Sequence, residues 1–263
     1  MLRKTNVTIL VICLFAMSFT GSTSRNNIAP LKIKLLFLGH KSSHHESKKF
    51  SGILKEEFLT SGVRITYTDN PDDLNETTLR SYDGLILYAN YDSISTAQEK
   101  ALLQFVKGGK GFIPIHCASY CFRNSPEVIE MIGGQFKTHK WDSFPALIVR
   151  PKHPVMQGIE PFYTVDETYV HEKISKNITV LTERVEGKHH EPYTWVRDYG
   201  EGRVFYTAYG HDERTFNNRD FMKMLKNGIM WTVANRVTAN ISDVTKLNPS
   251  QRSTRNLLMA HSR

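Results

Sequence analysis

Runs of consecutive apolar residues alternate, in the first half of the chain, with stretches in which apolar positions recur every three or four residues. Short runs rich in branched residues predict buried strands, and the longer spacing predicts amphipathic helices. The strands predicted in this way span residues 31–38, 63–68, 84–88 and 112–115. The helices predicted between them cover residues 50–58, 74–79 and 95–107.

Polar residues at the helix ends support these boundaries. Ser43 and Glu46 have the spacing of a capping box before the first helix, and Ser95 and Gln98 repeat it before the third. Two glycines at 108–109 follow the third helix and predict its end.

The pattern becomes less regular after residue 134, where shorter strands are predicted at 146–149 and 178–182. A strand at 203–209 and a helix at 220–233 restore the alternation. The segment between is either an insertion or a mixed extension of the sheet. Strands that alternate with helices predict an α/β fold with an open, doubly wound, mostly parallel sheet, because each parallel crossover needs a helix. We expect one domain over residues 31–235.

Both ends of the chain differ from this core. Arg3 and Lys4 precede an apolar run over residues 7–19 and a group of small residues, which predicts a cleaved export signal at residues 1–22. An uncleaved anchor is the alternative, but the run is shorter than the about 20 residues of a bilayer span. The protein is therefore expected in the periplasm or the extracellular space, with no stable membrane span after cleavage. Residues 236–263 are polar and aperiodic and predict a flexible tail.

Composition excludes several classes of protein. A hydrophobic content of 40% and a charged content of 23% are ordinary for a globular protein. The net charge of +8 comes mainly from the ends: without residues 1–22 and 236–263, 27 basic residues face 25 acidic ones. We therefore expect no nucleic-acid partner. Oligomeric state is not indicated.

Three predicted strands end in histidine, namely His40, His116 and His211. Ligands of doubly wound sheets bind outside the carboxyl ends of the strands, so these imidazoles should share one edge. His44, His45 and His139 could join them from loops. The cluster predicts either a divalent metal site, with zinc first and His40, His116 and His211 as ligands, or acid–base catalysis.

Two further pairs of residues are candidates for the site. Asp166 and Glu167 are adjacent carboxylates, one of which could face the histidines if the segment is extended. A carboxylate there could orient imidazoles, bind metal or move protons. Trp195 and Arg197 could stack on a sugar and bind its hydroxyls, although Trp195 could equally be a core residue.

With these residues in view, the chain resembles the ThuA-like (trehalose utilisation) family. The matching stretches are YDGLIL, GKGFIPIHCAS, IGGQFKTH, KHPVMQGI, DETY and WVRDYGEGRVFYTAYGH, in that order. The resemblance implies the flavodoxin-like sheet of class I glutamine amidotransferases. It also implies a role in bacterial catabolism of sugars, particularly 3-keto disaccharides related to trehalose. The site candidates that it carries over are His40, His116, His139, Asp166, Glu167 and His211.

Cys117 departs from the family pattern, in which a small residue commonly follows the strand-end histidine. Amidotransferases place a nucleophilic cysteine after a central strand and a His-x-Glu pair after a late one. Cys117, His211 and Glu213 could form such a triad. Ile115 and Ser119 nevertheless stand where the glycines of a nucleophile elbow would be, which favours an inert thiol.

The sequence thus favours an exported protein that processes a glycoside or keto-disaccharide. His116, His211, Glu167 and Asp166 are the predicted catalytic residues, and His139, Trp195 and Arg197 the predicted substrate contacts. A non-catalytic carbohydrate-binding module is the main alternative, the amidotransferase-like hydrolase is a second, and a purely structural domain is a third.

Overall fold

The structure is a computed structural model that describes residues 33–246, with side-chain surroundings described as far as residue 234. The predicted export signal at 1–22 and residues 247–263 of the predicted tail lie outside this range. The strands of the described part are β1 (Ile33–Leu38), β2 (Val63–Thr68), β3 (Gly84–Leu87), β4 (Gly111–Pro114), β5 (Gln135–Thr138), β6 (Trp141–Pro145), β7 (Leu147–Ile148), β8 (Tyr163–Glu167), β9 (Val170–Glu172), β10 (Thr179–Glu186), β11 (His189–Tyr199) and β12 (Gly202–Thr207).

The central sheet has eight strands in the order β2-β1-β3-β4-β12-β11-β10-β7. The first five run parallel to their neighbours, whereas β11, β10 and β7 add an antiparallel extension beside β12. The predicted α/β class with a mostly parallel sheet is therefore confirmed. The less regular segment contributes the mixed extension of the sheet and also two small antiparallel pairs, β5-β9 and β6-β8.

Helices surround the sheet and explain why its central strands are apolar throughout. They are α1 (Ser47–Glu57), α2 (Glu76–Leu79), α3 (Thr96–Lys107), α4 (Pro126–Ile132), α5 (Glu213–Phe216) and α6 (Arg219–Lys246). Every residue of β3 and β4 is buried, as expected of strands covered on both faces. Gly228 of α6 lies so close to Phe205 of β12 that a Cβ atom would be 2.6 Å from the ring. This contact allows α6 to pack directly on the sheet.

Two helix boundaries differ from the sequence expectation. The capping box at Ser95 and Gln98 forms at the start of α3, but the one predicted at Ser43 and Glu46 does not. Helix α1 begins instead at Ser47, whose hydroxyl group donates to the carbonyl oxygen of His40 at 2.8 Å. Helix α6 continues to residue 246 rather than ending near 233, because no glycine or proline interrupts residues 229–248.

No helix within residues 33–246 combines the length and apolar character that a bilayer crossing requires.

Candidate functional site

The predicted clustering of strand-end histidines occurs at the carboxyl edge of the parallel sheet. His116 follows β4 and His211 follows β12, and their ring centroids are 5.4 Å apart. His45, from the loop before α1, lies 5.3 Å from the ring of His116 and 5.0 Å from that of His211. His40 follows β1 and stacks on His45 at 5.7 Å. His45 is thus the centre of the cluster, and His40 joins it through His45.

The backbone of His116 is left-handed, with a φ of +49°, which residues other than glycine adopt rarely. This turn directs the imidazole into the sheet edge, where the side chain is fully buried. Its Nδ1 atom lies 2.7 Å from the carbonyl oxygen of Ala208. A carbonyl can only accept, so Nδ1 carries a proton and donates it. Nε2 is therefore the atom of His116 that faces the site.

Glu167 is the carboxylate of the cluster. Its oxygens lie 3.2 Å from Nε2 of His116, 3.3 Å from Nδ1 of His211 and 3.4 Å from Nδ1 of His139. Burial alone would raise the pKa of Glu167, but the imidazoles of His116 and His211 outweigh burial and hold the pKa well below its usual range. Glu167 is therefore ionised at neutral pH.

Asp166 lies on the other face of β8, since neighbouring residues of a strand point in opposite directions. Its buried carboxylate accepts the amide of Gly210 at 2.8 Å, the hydroxyl of Thr215 at 2.6 Å and the amide of Glu167 at 2.8 Å. The amide of His211 also points to it at 3.3 Å. Asp166 therefore fixes the turn that carries His211, and its carboxylate lies outside the cluster of imidazoles in which its catalytic role was predicted.

The histidines of the cluster differ in charge. Burial, followed by the charges of His116 and His211, lowers the pKa of His45 to about 2, so its ring is neutral. Burial also lowers the pKa of His211, but contact with Glu167 outweighs it and leaves the pKa raised. His139 is the exposed member, with a side chain 38% accessible against 14% for His211. A substrate can therefore contact His139 directly.

An open cleft of about 500 Å³ lies over this cluster. Its walls are formed by His44, His45, Asn90, Cys117, Tyr120, Phe136, His139, Trp141, Glu167, Tyr169 and His211. Trp141 is directly opposite Glu167 in the β6-β8 pair and remains 46% exposed. Its ring contacts that of His211 at 4.8 Å, and the guanidinium of Arg214 lies 4.8 Å from its centre. The cleft therefore combines an aromatic wall with the carboxylate and imidazole groups.

The structure does not bring Trp195 and Arg197, the predicted substrate contacts, to the cleft. Trp195 is fully buried in β11, packs on Tyr206 and donates its indole N–H to the carbonyl of Ile132 at 2.7 Å. Arg197 donates to the backbone and carboxylate of Glu130. Both belong to the structural core of the sheet extension, and neither lines the cleft.

The predicted Cys117, His211 and Glu213 triad does not assemble. Cys117 lies at the floor of the cleft with 1% exposure, and burial raises the pKa of its thiol well above the usual value. Glu213 forms an ion pair with Lys49. His211 turns its Nδ1 atom to Glu167 instead. The residues that could activate a thiol are thus committed to other partners.

Sequence reasoning did not single out two features of the site. Trp141 follows His139 by two residues, and its position on the wall depends on the β6-β8 pairing. His171 is buried behind the cleft, where Nδ1 lies 3.0 Å from Glu191 and Nε2 lies 2.9 Å from the hydroxyl of Tyr206. The one sequence feature that pointed to His171 is its position in DETYVHE, where polar residues stand on both sides of an apolar pair in a segment that could be extended.

A sequence model of the family described as ThuA, trehalose utilisation, matches residues 34–232. A solved ThuA-like protein from Bacteroides uniformis is 18% identical, with 80% of this chain and 94% of that chain covered at a TM-score of 0.69. Another from Parabacteroides merdae is 20% identical, with 77% and 90% covered at a TM-score of 0.66. A β-galactosidase from Rahnella is 12% identical, with 79% of this chain and 31% of that chain covered at a TM-score of 0.56. At these identities the structures show a shared fold alone. No protein of curated function is significantly similar to the chain.

Proposed function

Because the chain belongs to the ThuA family, we propose that it is an enzyme of sugar catabolism that acts on a glycoside or keto-disaccharide in the cleft above Glu167. The observation that carries this proposal is the contact of one carboxylate with three imidazoles within 3.4 Å. A structural carboxylate needs one partner, and a carboxylate shared by three imidazoles beside a cleft is typical of a site that moves protons.

His139 and Glu167 are the proposed proton-transfer pair. His139 is accessible from the cleft, and its Nδ1 atom lies 3.4 Å from Oε1 of Glu167. An ionised Glu167 holds Nδ1 as the protonated atom, which leaves Nε2 as the base. An imidazole base of this kind can take a proton from the carbon beside a keto group or from a sugar hydroxyl, and can return it to a departing oxygen.

Trp141 is the proposed sugar platform. Nearly half of its surface is exposed at the cleft, opposite Glu167 in the strand pair. The flat C–H face of a pyranose ring packs well on an indole, whose other contacts here are the edge-on ring of His211 and the guanidinium of Arg214. A cleft of about 500 Å³ is within the usual size of small-molecule sites and accommodates a disaccharide.

Export is part of the same proposal. Arg3 and Lys4 before the apolar run over residues 7–19 support cleavage after residue 22 and delivery to the periplasm or extracellular space. N-terminal sequencing of the protein recovered outside the cytoplasm tests this step. A mature chain that still begins with Met1, or that stays in the cytoplasm, would contradict it.

The test of activity compares His139→Asn with Asp142→Asn, an exposed control three residues later in β6. Wild type and both variants are assayed with trehalose-type glycosides and their 3-keto derivatives, and binding is measured by calorimetry. We expect His139→Asn to lower kcat by about 10²–10⁴-fold with binding retained, and the control to be unchanged. Binding that depends on Trp141 without turnover of any sugar would identify a carbohydrate-binding module instead.

A further inference from the structure

The cluster contains an unusual number of buried imidazole nitrogens without a hydrogen-bond partner among the described residues. They are Nε2 of His40, both ring nitrogens of His45, Nε2 of His116 and Nδ1 of His211. Leaving one buried polar atom unpaired costs about 1–3 kcal/mol. Five such atoms in one place indicate that these nitrogens have a partner of another kind.

The tautomer of His116 defines what that partner must be. Nδ1 donates to Ala208, so a neutral His116 presents a bare lone pair at Nε2. This atom lies 3.2 Å from Oε2 of Glu167, outside hydrogen-bond geometry. Two groups that both offer lone pairs repel each other unless a cation lies between them. His45 adds a third such group, because its neutral ring has one lone pair and neither ring nitrogen has a hydrogen-bond partner among the described residues.

We propose that His45, His116, His211 and Glu167 bind a divalent transition-metal ion, with zinc as the first choice. One ligand atom from each of these residues can be chosen so that all four lie within 4.8 Å of one another. Two ligands that are each about 2.0–2.1 Å from a tetrahedral ion lie about 3.3 Å apart. Oε2 of Glu167 is 3.2 Å from Nε2 of His116, and Oε1 is 3.3 Å from Nδ1 of His211, so each carboxylate oxygen lies at such a distance from one imidazole nitrogen. Three imidazoles and a carboxylate form a donor set that suits zinc.

The groups around the proposed ligands hold them in place. Ala208 fixes the ring of His116 through Nδ1, as an outer partner of a metal-bound imidazole commonly does. Asp166 accepts the backbone amides of Gly210 and His211 and so fixes the base of the second ligand. His116 and His211 follow β4 and β12 of the central sheet, Glu167 ends β8 of the β6-β8 pair, and His45 lies in the loop before α1.

His40 is not one of these ligands, contrary to the sequence expectation. The four ligand atoms that lie within 4.8 Å of one another include one from His45 and none from His40. Among the described residues, His40 forms such a group only with His45 and Cys117. The strand-end position of His40 therefore places it behind His45, where the two rings stack at 5.7 Å. His40→Asn should accordingly weaken the site less than His45→Asn.

The test loads the full chain, stripped with a chelator, with Zn²⁺ and measures stoichiometry by metal analysis and affinity by calorimetry. Wild type is compared with His45→Asn and Glu167→Gln, and with His44→Asn as an exposed control in the same loop. We expect one zinc per chain in wild type and in His44→Asn, and at least 100-fold weaker binding in the other two. Substitution with Co²⁺ should give the visible absorption bands of a four-coordinate site, which both ligand variants lose.

Circular dichroism of each variant shows whether it is folded, and Glu167→Gln supplies the test if His45→Asn is not. Less than a tenth of an equivalent of zinc in wild type, or unchanged affinity in both folded ligand variants, would overturn the metal site. This inference deepens the proposed function and is measured without any sugar. Zinc binding without turnover of any sugar would contradict only the enzyme proposal, and turnover by a chain that binds no zinc would contradict only the metal site.

Discussion

Replacing Asp166 by asparagine should destabilise the protein, although the change removes only a charge and one acceptor. Both oxygens of the buried carboxylate already accept hydrogen bonds. Oδ2 accepts from Gly210 at 2.8 Å and from Thr215 at 2.6 Å, and Oδ1 accepts from Glu167 at 2.8 Å. Whichever way an asparagine amide turns, its NH₂ group faces a backbone N–H that has lost its acceptor. No rotamer of the substituted side chain restores the network.

The magnitude follows from the number and type of bonds lost. A hydrogen bond to a charged group contributes about 1.5–3 kcal/mol, and the orphaned amide adds a desolvation cost. We expect Asp166→Asn to lower the free energy of unfolding by about 3 kcal/mol. For a domain of this size about 1 kcal/mol shifts Tm by roughly 2–4 °C, so Tm should fall by roughly 6–12 °C.

Urea denaturation followed by circular dichroism measures this change, with Asp142→Asn as the matched control. Asp142 lies directly opposite Asp166 in the β6-β8 pair but is exposed, so its substitution should change stability by less than about 0.5 kcal/mol. An Asp166→Asn variant as stable as this control would refute the reasoning. It would mean that the hydrogen bonds of the buried carboxylate do not stabilise the turn at Gly210.

Three other properties can be predicted from the structure. Trp141→Ala should weaken disaccharide binding, measured by calorimetry, by about tenfold without lowering stability, because the ring is 46% exposed. The control Tyr163→Ala, on the paired strand, should leave binding unchanged. The thiols of Cys117 and Cys121 should resist iodoacetamide in the native protein and react after unfolding, because burial raises the pKa of both. Alkylation of either thiol in the native protein, detected by mass spectrometry, would contradict this. The metal-free protein should lose about 1.4 kcal/mol of stability per pH unit below 6.5 through His45, because burial lowers its pKa to about 2 and only the unfolded chain takes up the proton. This contribution is fully present above pH 6.5, and a denaturation series that shows the same slope for wild type and His45→Asn would contradict it.

The parallel half of the fold could be predicted because its strands are buried on both faces. A strand such as β3, with all of its residues buried, gives a continuous apolar run that is distinct in the sequence. The extension was harder to find because β11 mixes His189, Glu191 and Pro192 with buried aromatic residues. Helix α4 was missed because seven residues give too short a periodic pattern.

The strand-end rule found His116 and His211, because the direction of a parallel strand alone decides at which edge its last residue lies. It could not distinguish His45 from its neighbour His44, since one is buried and the other exposed according to where α1 begins. The same limit applies to tryptophan. Trp195 is buried and Trp141 lines the cleft because of strand pairing between distant segments, which the local sequence does not encode.

The antiparallel extension also supports the site through a buried chain of polar groups. Glu191 of β11 accepts from Nδ1 of His171, and Nε2 of His171 then accepts the hydroxyl proton of Tyr206. The hydroxyl of Ser119 lies 2.9 Å from the oxygen of Tyr206 and 3.3 Å from the carbonyl oxygen of His116, and it can donate its single proton to either of them. A residue with a φ of +49° persists only where its surroundings stabilise it. The strands that extend the sheet therefore stabilise the turn that presents Nε2 of His116 to the cleft.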